Sequence, residues 1–258
     1  MSSILFEIKN NIGYITLNRP DKLNSLNRDM ALLMQSKLDE CASAHEVRCV
    51  YITGSGRAFS AGQDLGELTG GNPPSMTQIL SEHYNPIIDR IRKMPKPVMA
   101  VVNGVAAGAG ANIALCRHIV IATQSASFIQ AFSKIGLIPD SGGTYFLPRL
   151  IGWQKASAIA MLGDKIGADE AERLGMVYKV YRDEEFTDNA QKLALQIAQM
   201  PTKGLALTKH ALNYSFTNTY EQQLELEDKL QQEAALTYDY REGVEAFLQK
   251  RTPVFKGE

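Results

Sequence analysis

Two short apolar runs limit the folds that this chain can adopt. Val47–Ile52 and Val98–Val102 consist mainly of apolar and β-branched residues, without a strict alternation of apolar and polar side chains. Strands that are covered on both faces have this pattern, and they belong to parallel sheets whose connections are helices. We therefore expect both runs to be buried parallel strands of an α/β protein.

The remaining sequence is typical of an α/β core that is followed by helices. Before residue 143, hydrophobic periodicity predicts an N-terminal hairpin, further helices and further strands. They cover Ile4–Lys9, Ile12–Leu17, Asn27–Ala44, Met76–Lys93, Ala106–Leu115, Ile119–Ala122 and Ser127–Ile129. Beyond Gly143 the predicted elements are helices at Gln154–Leu162, Ala168–Leu174, Asp183–Gln199, Thr202–Phe216, Thr219–Thr237 and Arg241–Gln249, and a strand-like segment at Met176–Tyr181. This order favours an α/β core with a C-terminal helical extension.

The composition excludes several classes of function. The 258 residues carry 27 Lys and Arg against 28 Asp and Glu, so a net charge of -1 leaves no basic surplus for nucleic acid. The longest apolar stretch, Val98–Ala114, is interrupted by Asn103 and by glycines, so no membrane association is expected. The N-terminus has no basic segment before an apolar one, and the three cysteines are far apart. We therefore expect a cytoplasmic protein.

The segment Gly136–Thr144 places one carboxylate, Asp140, between an apolar run and a pair of glycines. Two interpretations are open. In the first, Asp140 caps the helix that opens at Ser141–Gly143, where its oxygen accepts from the free N–H groups of the first turn. In the second, Asp140 is a lone acid in an apolar pocket, and desolvation raises its pKa until it can carry a proton.

Two glycine-rich segments, Phe59–Leu65 and Asn103–Gly110, each follow a predicted strand. Loops at the carboxyl ends of parallel strands collect ligands because they present free backbone N–H groups. One donor from each segment would make a pair that holds a developing oxyanion. The alternative is structural, since small residues also let a helix pack closely on a sheet. A dinucleotide site is not indicated, because the second segment lacks the third glycine of that fingerprint.

A serine hydrolase is the rival interpretation from another class of enzyme. Ser60, Asp140 and His210 occur in the order found in α/β-hydrolases. The nucleophile of those enzymes is followed directly by a helix, whereas glycines follow Ser60, and His210 lies in the middle of a predicted surface helix. The other histidines lack the spacing of metal ligands, so no metal site is predicted.

Five groups of residues occur in a characteristic order along nearly the whole chain. They are Leu17–Pro20 with Leu23–Leu26, Phe59–Leu65, Val102–Gly110, Gly136–Thr144, and Tyr240–Phe247 with Lys250–Phe255. Together they resemble the crotonase (enoyl-CoA hydratase/isomerase) superfamily. The resemblance implies an α/β fold, a crotonase-type spiral of ββα turns that carries a C-terminal helical trimerisation region. We expect residues 1–200 to form the core and 201–258 the oligomerisation region of a homotrimer or dimer of trimers.

The resemblance also implies the ligand, an acyl-CoA thioester that is itself the substrate, so no separate cofactor is expected. Its thioester oxygen would be held by the backbone N–H groups of Gln63 and Ala109. The residues implied to contact coenzyme A are Ala61, Asp64, Leu65, Lys22, Phe255 and Lys256. The last two match C-terminal positions that reach coenzyme A on a neighbouring subunit.

Two positions depart from the family's hydratases, which use two glutamates to activate water and to protonate the adduct. The first glutamate falls on Asn112 and the second on Phe132. Neither side chain exchanges protons, so efficient hydration is disfavoured. An isomerase needs one carboxylate, and Asp140 is the acid of the matched pocket segments that can serve.

Within the superfamily, Ala61–Leu65 and Gly136–Thr144 most resemble the isomerases that convert ring-1,2-epoxyphenylacetyl-CoA to oxepin-CoA in phenylacetate degradation. We therefore expect an acyl-CoA isomerase with Asp140 as the acid/base, acting on this epoxide or shifting a 3-enoyl-CoA to a 2-enoyl-CoA. The alternatives left open are an enoyl-CoA hydratase, an aryl-CoA dehalogenase with Asp140 as nucleophile, the hydrolase that uses Ser60, and a non-catalytic CoA-binding subunit.

Overall fold

The computed structural model describes residues 2–69 and 73–258, and ten strands in these ranges form two sheets. The strands are β1 (Ile4–Lys9), β2 (Ile12–Leu17), β3 (Cys49–Gly54), β4 (Ala58–Ser60), β5 (Val98–Val102), β6 (Val105–Ala107), β7 (Ile119–Thr123), β8 (Ser127–Ile129), β9 (Lys165–Gly167) and β10 (Lys179–Tyr181). The helices are α1 (Arg28–Ser43), α2 (Met76–Gln78), α3 (Asn85–Lys93), α4 (Ala109–Leu115), α5 (Gly143–Ile151), α6 (Trp153–Leu162), α7 (Ala168–Leu174), α8 (Asp183–Ala198), α9 (Thr202–Tyr214), α10 (Tyr220–Ala235) and α11 (Tyr238–Gln249). A π-helix, Ile79–Tyr84, joins α2 to α3, and short 3₁₀ helices cover Pro20–Lys22, Leu65–Leu68 and Ala131–Ile135.

From β3 to β8, successive strands alternate between the two sheets. In the described residues the larger sheet has the order β1-β2-β3-β5-β7-β10, and the smaller one has the order β4-β6-β8-β9. Thus β3, β5 and β7 lie in the larger sheet, while the strand that follows each of them lies in the smaller sheet. Neighbours among these six strands are parallel. The chain therefore advances as a spiral of strand pairs and helices, which confirms the predicted α/β fold class.

Strand β5 shows why its sequence has no polar alternation. Val98, Ala100 and Val102 face the core that includes residues of α1 and α3. Met99 and Val101 face a second apolar cluster, which contains residues of α8. Each of the five side chains is at most 1% exposed. A strand covered on both faces has no position that favours a polar residue, so the predicted buried parallel strand is confirmed.

Two predicted helices contain another element in the structure, whereas the others differ at most at their ends, as in α11, which begins three residues before its predicted start. The helix predicted over Ala106–Leu115 begins only at Ala109, because Val105–Ala107 forms β6 and pairs with β8. Gly108 separates the two elements with a φ of +52°, a conformation that glycine adopts without strain. The helix predicted over Met76–Lys93 is interrupted by the π-helix. The spacing of apolar residues in the sequence does not reveal the wider turn of a π-helix.

Short strands are the other difference. β4 and β9 were not predicted; they have three residues each and adjoin glycine-containing turns, so no alternation marks them. A loop is expected over residues 54–72, between β3 and the next predicted helix, because the segment is rich in glycine. It contains β4 and the 3₁₀ helix Leu65–Leu68, and its residues 70–72 lie outside the described residues. The strand-like segment Met176–Tyr181 shortens to β10. The hairpin β1–β2, β5, β8 and α7 have the predicted bounds.

One arginine ties the C-terminal helices to the strand core. The guanidinium of Arg48 donates to the carbonyl oxygens of Met200 (2.6 Å) and Phe255 (2.9 Å) and to the hydroxyl of Thr202 (3.0 Å). The predicted border at residues 200 and 201 falls in this connection between α8 and α9. The assignment of 201–258 to oligomerisation stays a prediction. No helix in the described ranges is long and apolar enough to cross a bilayer.

Asn24 joins the turn after β2 to the strand pair β3–β4. Its Nδ2 donates to the carbonyl oxygens of Ser55 (2.8 Å) and Ala58 (2.7 Å), and its Oδ1 accepts from the N–H of Arg19 at 2.8 Å. Asn24 is fully buried and has a φ of +55°, which asparagine tolerates better than most residues. Because three backbone groups depend on one amide, this residue fixes the position of the loop that follows β4.

We expect Asn24→Asp to destabilise the fold, although the two side chains have nearly the same shape. The substitution removes both Nδ2 donors and directs a carboxylate at two carbonyl oxygens. Each unsatisfied buried group costs about 1–3 kcal/mol, so a loss of roughly 3 kcal/mol or more in the free energy of unfolding is expected. Urea unfolding measures it, with Asn10→Asp as control, an exposed position in the β1–β2 turn with a similar φ of +52°. Equal stability of the two variants would contradict this role of Asn24.

Candidate active site

A cavity of about 210 Å³ brings together residues from distant parts of the sequence. Five of the predicted site residues line it, namely Ala61, Gln63, Leu65, Ala109 and Asp140. Most of the remaining wall is apolar, with Leu68, Met76, Ile79, Phe132, Ile135 and Leu137 among its residues. Such a mainly apolar cavity with a few polar groups is the usual form of a small-molecule site.

The loop after β4 is held by backbone pairing with the segment Leu23–Leu26. Leu26 donates to the carbonyl oxygen of Gly62 at 2.7 Å and accepts from the N–H of Asp64 at 2.8 Å. These two bonds form a parallel bridge opposite Gln63. In such a bridge the flanking residues make the hydrogen bonds, so the N–H of Gln63 faces away from Leu26. Within the described residues this N–H has no acceptor.

The second loop presents another N–H group. Ala109 is the first residue of α4, and the N–H groups of a first helical turn have no partner inside the helix. Gly108 precedes it and provides no side-chain cap. Across the described part of the chain, no acceptor lies within hydrogen-bond reach of the Ala109 N–H. This donor is therefore available at the cavity wall.

Gly62 brings the two loops into contact. A Cβ atom added to Gly62 would lie 2.8 Å from the carbonyl oxygen of Ala107 and 3.3 Å from the backbone nitrogen of Ala109. The φ of Gly62 is +85°, so a side chain would also strain the backbone. Only glycine lets the loops approach so closely, and the approach makes the N–H groups of Gln63 and Ala109 neighbours. Two such donors can hold one oxyanion.

Asp140 is a partly buried carboxylate at the same cavity. Burial raises its pKa, while a hydrogen bond from the Ser141 hydroxyl, at 2.9 Å, acts in the opposite direction. The N-cap interpretation is wrong, because α5 begins at Gly143 after Gly142, and no side chain caps it. The main-chain oxygen of Asp140 instead accepts from the N–H of Gly143 at 2.7 Å. The carboxylate therefore does not cap α5, and it lines the cavity.

The two positions of the hydratase glutamates are filled differently. Phe132 lines the cavity, whereas Asn112 is buried behind the first turn of α5. Nδ2 of Asn112 donates to the main-chain oxygen of Asp140 at 2.8 Å, and its Oδ1 accepts from Nε2 of Gln130 at 2.7 Å. Asn112 therefore braces the backbone of Asp140. Among the described residues that line the cavity, Asp140 is the one carboxylate.

The other residues predicted to contact coenzyme A lie in two places. Asp64 forms an ion pair of 2.7 Å with Arg19, and this hydrogen-bonded pair lowers its pKa. Lys22 ends a 3₁₀ helix in the same N-terminal turn, outside the cavity. Phe255 and Lys256 lie beside α11, where the N–H of Lys256 donates to Asp239 at 2.6 Å. In a single chain these last two residues do not line the cavity, and their contact with coenzyme A stays a prediction.

The structure does not assemble the hydrolase triad. Ser60 is fully buried, and its hydroxyl donates to the carbonyl oxygen of Asn24 at 2.8 Å and accepts from the N–H of Gly62 at 3.2 Å. His210 is exposed and its ring stacks on Tyr214, with 4.8 Å between the centroids. Ser60 therefore supports the loop, and neither residue lines the cavity that contains Asp140.

Tyr84, Glu67 and the side chain of Gln63 were missed by the sequence analysis. Tyr84 lines the cavity and its hydroxyl contacts Oε1 of Gln63, whose Nε2 lies 2.9 Å from Oε2 of Glu67. Tyr84 ends the π-helix, so its direction could not be derived from α-helical spacing. The only available signal was a polar side chain, Gln63, between the small residues of its loop and Asp64.

Residues 7–258 match the model of the Enoyl-CoA hydratase/isomerase family. The chain therefore belongs to this family and is a crotonase-family enzyme, which confirms the resemblance of its motifs. It is similar to the 1,2-epoxyphenylacetyl-CoA isomerase of Escherichia coli, with 46% identity over 100% of both chains. A Rhodobacter capsulatus protein named "Probable enoyl-CoA hydratase" is 43% identical over 99% of this chain and 98% of its own. The crystal structure of an enoyl-CoA hydratase from Bacillus anthracis superimposes with a TM-score of 0.93, at 32% identity and 100% coverage of both chains.

We expect Asp140→Asn to stabilise the protein at neutral pH. A carboxyl whose pKa is raised on folding binds more protons in the folded state, so its contribution to stability falls as pH rises through the folded pKa. Asparagine has no such dependence. The melting temperature of Asp140→Asn should exceed that of the wild type at pH 7, and the difference should vanish as the pH approaches 3.8. A variant that melts lower at pH 7 would contradict the desolvation of Asp140.

Proposed function

We propose that this chain is an acyl-CoA isomerase in which Asp140 carries a proton between two positions of the acyl group. The observation that supports this most is the combination at one cavity of a single carboxylate with two backbone N–H groups that lack acceptors within the described residues. A carboxylate with a raised pKa is suited to both removing and returning a proton. Two converging donors are suited to the oxygen of a thioester enolate.

The mechanism needs these groups and no water. The thioester oxygen accepts hydrogen bonds from the N–H groups of Gln63 and Ala109. Asp140 removes a proton next to the carbonyl or at the vinylogous carbon, and the negative charge moves to the thioester oxygen. The protonated Asp140 then returns the proton to another carbon as the enolate collapses. The apolar wall limits competing exchange with water.

The absence of a second acid from the described cavity wall favours isomerisation over hydration. Addition of water requires a base for the water and an acid for the carbon. Phe132 and Asn112 occupy the corresponding positions, the first as apolar wall and the second as a brace. The relatives include hydratases, but this wall supports the chemistry of a one-proton shuttle.

The proposed substrate is ring-1,2-epoxyphenylacetyl-CoA, which is converted to oxepin-CoA, with the shift of a 3-enoyl-CoA to a 2-enoyl-CoA as related chemistry. The support is the full-length similarity to the Escherichia coli isomerase of that name. We also propose that Lys22, Ala61, Asp64 and Leu65 contact coenzyme A. Phe255 and Lys256 would do so from a neighbouring subunit of a trimer or of a dimer of trimers.

Asp140→Asn is expected to abolish turnover and to retain binding. Loss of a general acid/base costs about 10²–10⁴-fold in rate. Ultraviolet absorbance would follow the purified protein with the epoxide-CoA and with a 3-enoyl-CoA in parallel, and calorimetry would measure CoA-ester binding. Asp188→Asn, an exposed carboxylate on α8, is the matched control. Turnover by Asp140→Asn at the wild-type rate would exclude the proposed role.

Ala109→Pro tests the oxyanion donor at the start of α4. Proline is well tolerated at the first position of a helix and lacks the N–H group, so the fold should persist while one donor is lost. The expected fall in kcat is about 10²–10³-fold. Ala109→Gly keeps the N–H and should lose far less activity. If both variants have the same kcat and both melt like the wild type, the N–H of Ala109 does not stabilise the enolate.

A further inference from the structure

A chain of hydrogen bonds runs along the cavity wall through the side chain of Gln63. The hydroxyl of Tyr84 contacts Oε1 of Gln63, and Nε2 of Gln63 lies 2.9 Å from Oε2 of Glu67. The other carboxylate oxygen of Glu67 accepts from the backbone N–H of Arg28 at 2.9 Å. The chain thus links the last residue of the π-helix to the first residue of α1, with Gln63 between them.

The carboxylate of Glu67 determines which group donates and which accepts in each of these hydrogen bonds. Both oxygens of Glu67 serve as acceptors, so Gln63 must turn its NH₂ group towards Glu67 and its carbonyl oxygen towards Tyr84. The phenol is then the donor. Burial raises the pKa of Tyr84, and the nearby carboxylates of Asp140 and Glu67 raise it further, so the hydroxyl keeps its proton.

Within the described residues, the side chains of Tyr84, Gln63 and Glu67 have no donor left for a ligand. The second contact of the Gln63 amide nitrogen is the main-chain oxygen of Asp64, at 3.3 Å. The single hydroxyl hydrogen of Tyr84 is directed at Gln63. These hydrogen bonds therefore do not recognise an acyl group by donating to it. Their effect is to restrict the position of Gln63.

We propose that Tyr84 and Glu67 are positioning residues, which hold Gln63 so that its backbone N–H points into the cavity. The inference rests on the proposed function, in which that N–H binds the thioester oxygen. Gln63 is then held in two ways. Its backbone forms the bridge to Leu26, and its side chain is hydrogen-bonded to Tyr84 and Glu67. A hydrogen bond weakens steeply when its angle closes, so a loop that can rotate loses enolate stabilisation before it loses substrate binding.

The test compares Tyr84→Phe and Glu67→Gln with the wild type. Tyr84→Phe removes the donor and keeps the buried ring, and Glu67→Gln keeps the size but no longer fixes the direction of the amide. Each is expected to lower kcat about 10- to 100-fold and to change KM less than about threefold. Tyr51→Phe, on the face of the larger sheet that packs against α8, is the control.

A double-mutant cycle separates positioning from direct contact with the substrate. If Tyr84 acts through Gln63, Tyr84→Phe combined with Gln63→Met should be no slower than Gln63→Met alone, since members of one network do not add. The carbonyl stretch of a bound, unreactive CoA thioester gives a second readout. Its frequency should fall on binding to the wild type and should return towards the value in water in each variant.

Two results would overturn the inference. One is an additive double-mutant cycle, which would mean that Tyr84 contacts the substrate directly. The other is an unchanged kcat and carbonyl frequency in both Tyr84→Phe and Glu67→Gln. If Ala109→Pro and Asp140→Asn are inactive while these variants are not, the positioning role alone fails. If all four variants are as active as the wild type, the proposed function fails as well.

Discussion

The site depends on a short stretch of backbone pairing between Leu26 and the loop that carries Gln63. This pairing leaves one N–H free because its neighbours are engaged, with Leu26 bonded to Gly62 and Asp64. Asn24 holds the strand before the same loop, because it donates to the carbonyl oxygen of Ala58 and accepts from the hydroxyl of Ser60. The free donor is therefore a product of rigid surroundings, and its usefulness comes from the fact that it cannot turn to another acceptor.

The sequence predicted the features that are local or that repeat. The fully apolar strand β5 follows from burial on two faces, and the hairpin follows from alternation. The convergence of Gln63, Ala109 and Asp140 could be expected from the resemblance, because the motifs occur in family order, and the cavity contains all three.

What the sequence could not supply depends on contacts between distant residues. Whether Asp140 caps α5 or faces a cavity is decided by two consecutive residues with positive φ, Ser141 at +51° and Gly142 at +77°. The orientation of Tyr84 depends on a π-helix that no apolar spacing reveals. The role of Asn112 is a third case, since an asparagine in a helix gives no sign that its amide supports the backbone of a residue in another segment.

The brace formed by Asn112 has a consequence for how this protein can change its chemistry. A Cβ atom on Gly143 would lie 2.4 Å from Nδ2 of Asn112, so the amide fills the whole space against the first turn of α5. A glutamate at position 112 could still accept from Gln130, but it would be longer and would set a carboxylate oxygen against the main-chain oxygen of Asp140, where Asn112 has its donor. Position 112 is thus coupled to Gly143 and to the backbone of Asp140, and a longer carboxylate there would disturb both. In this chain the space that a second carboxylate would need is already used to hold the first one in place.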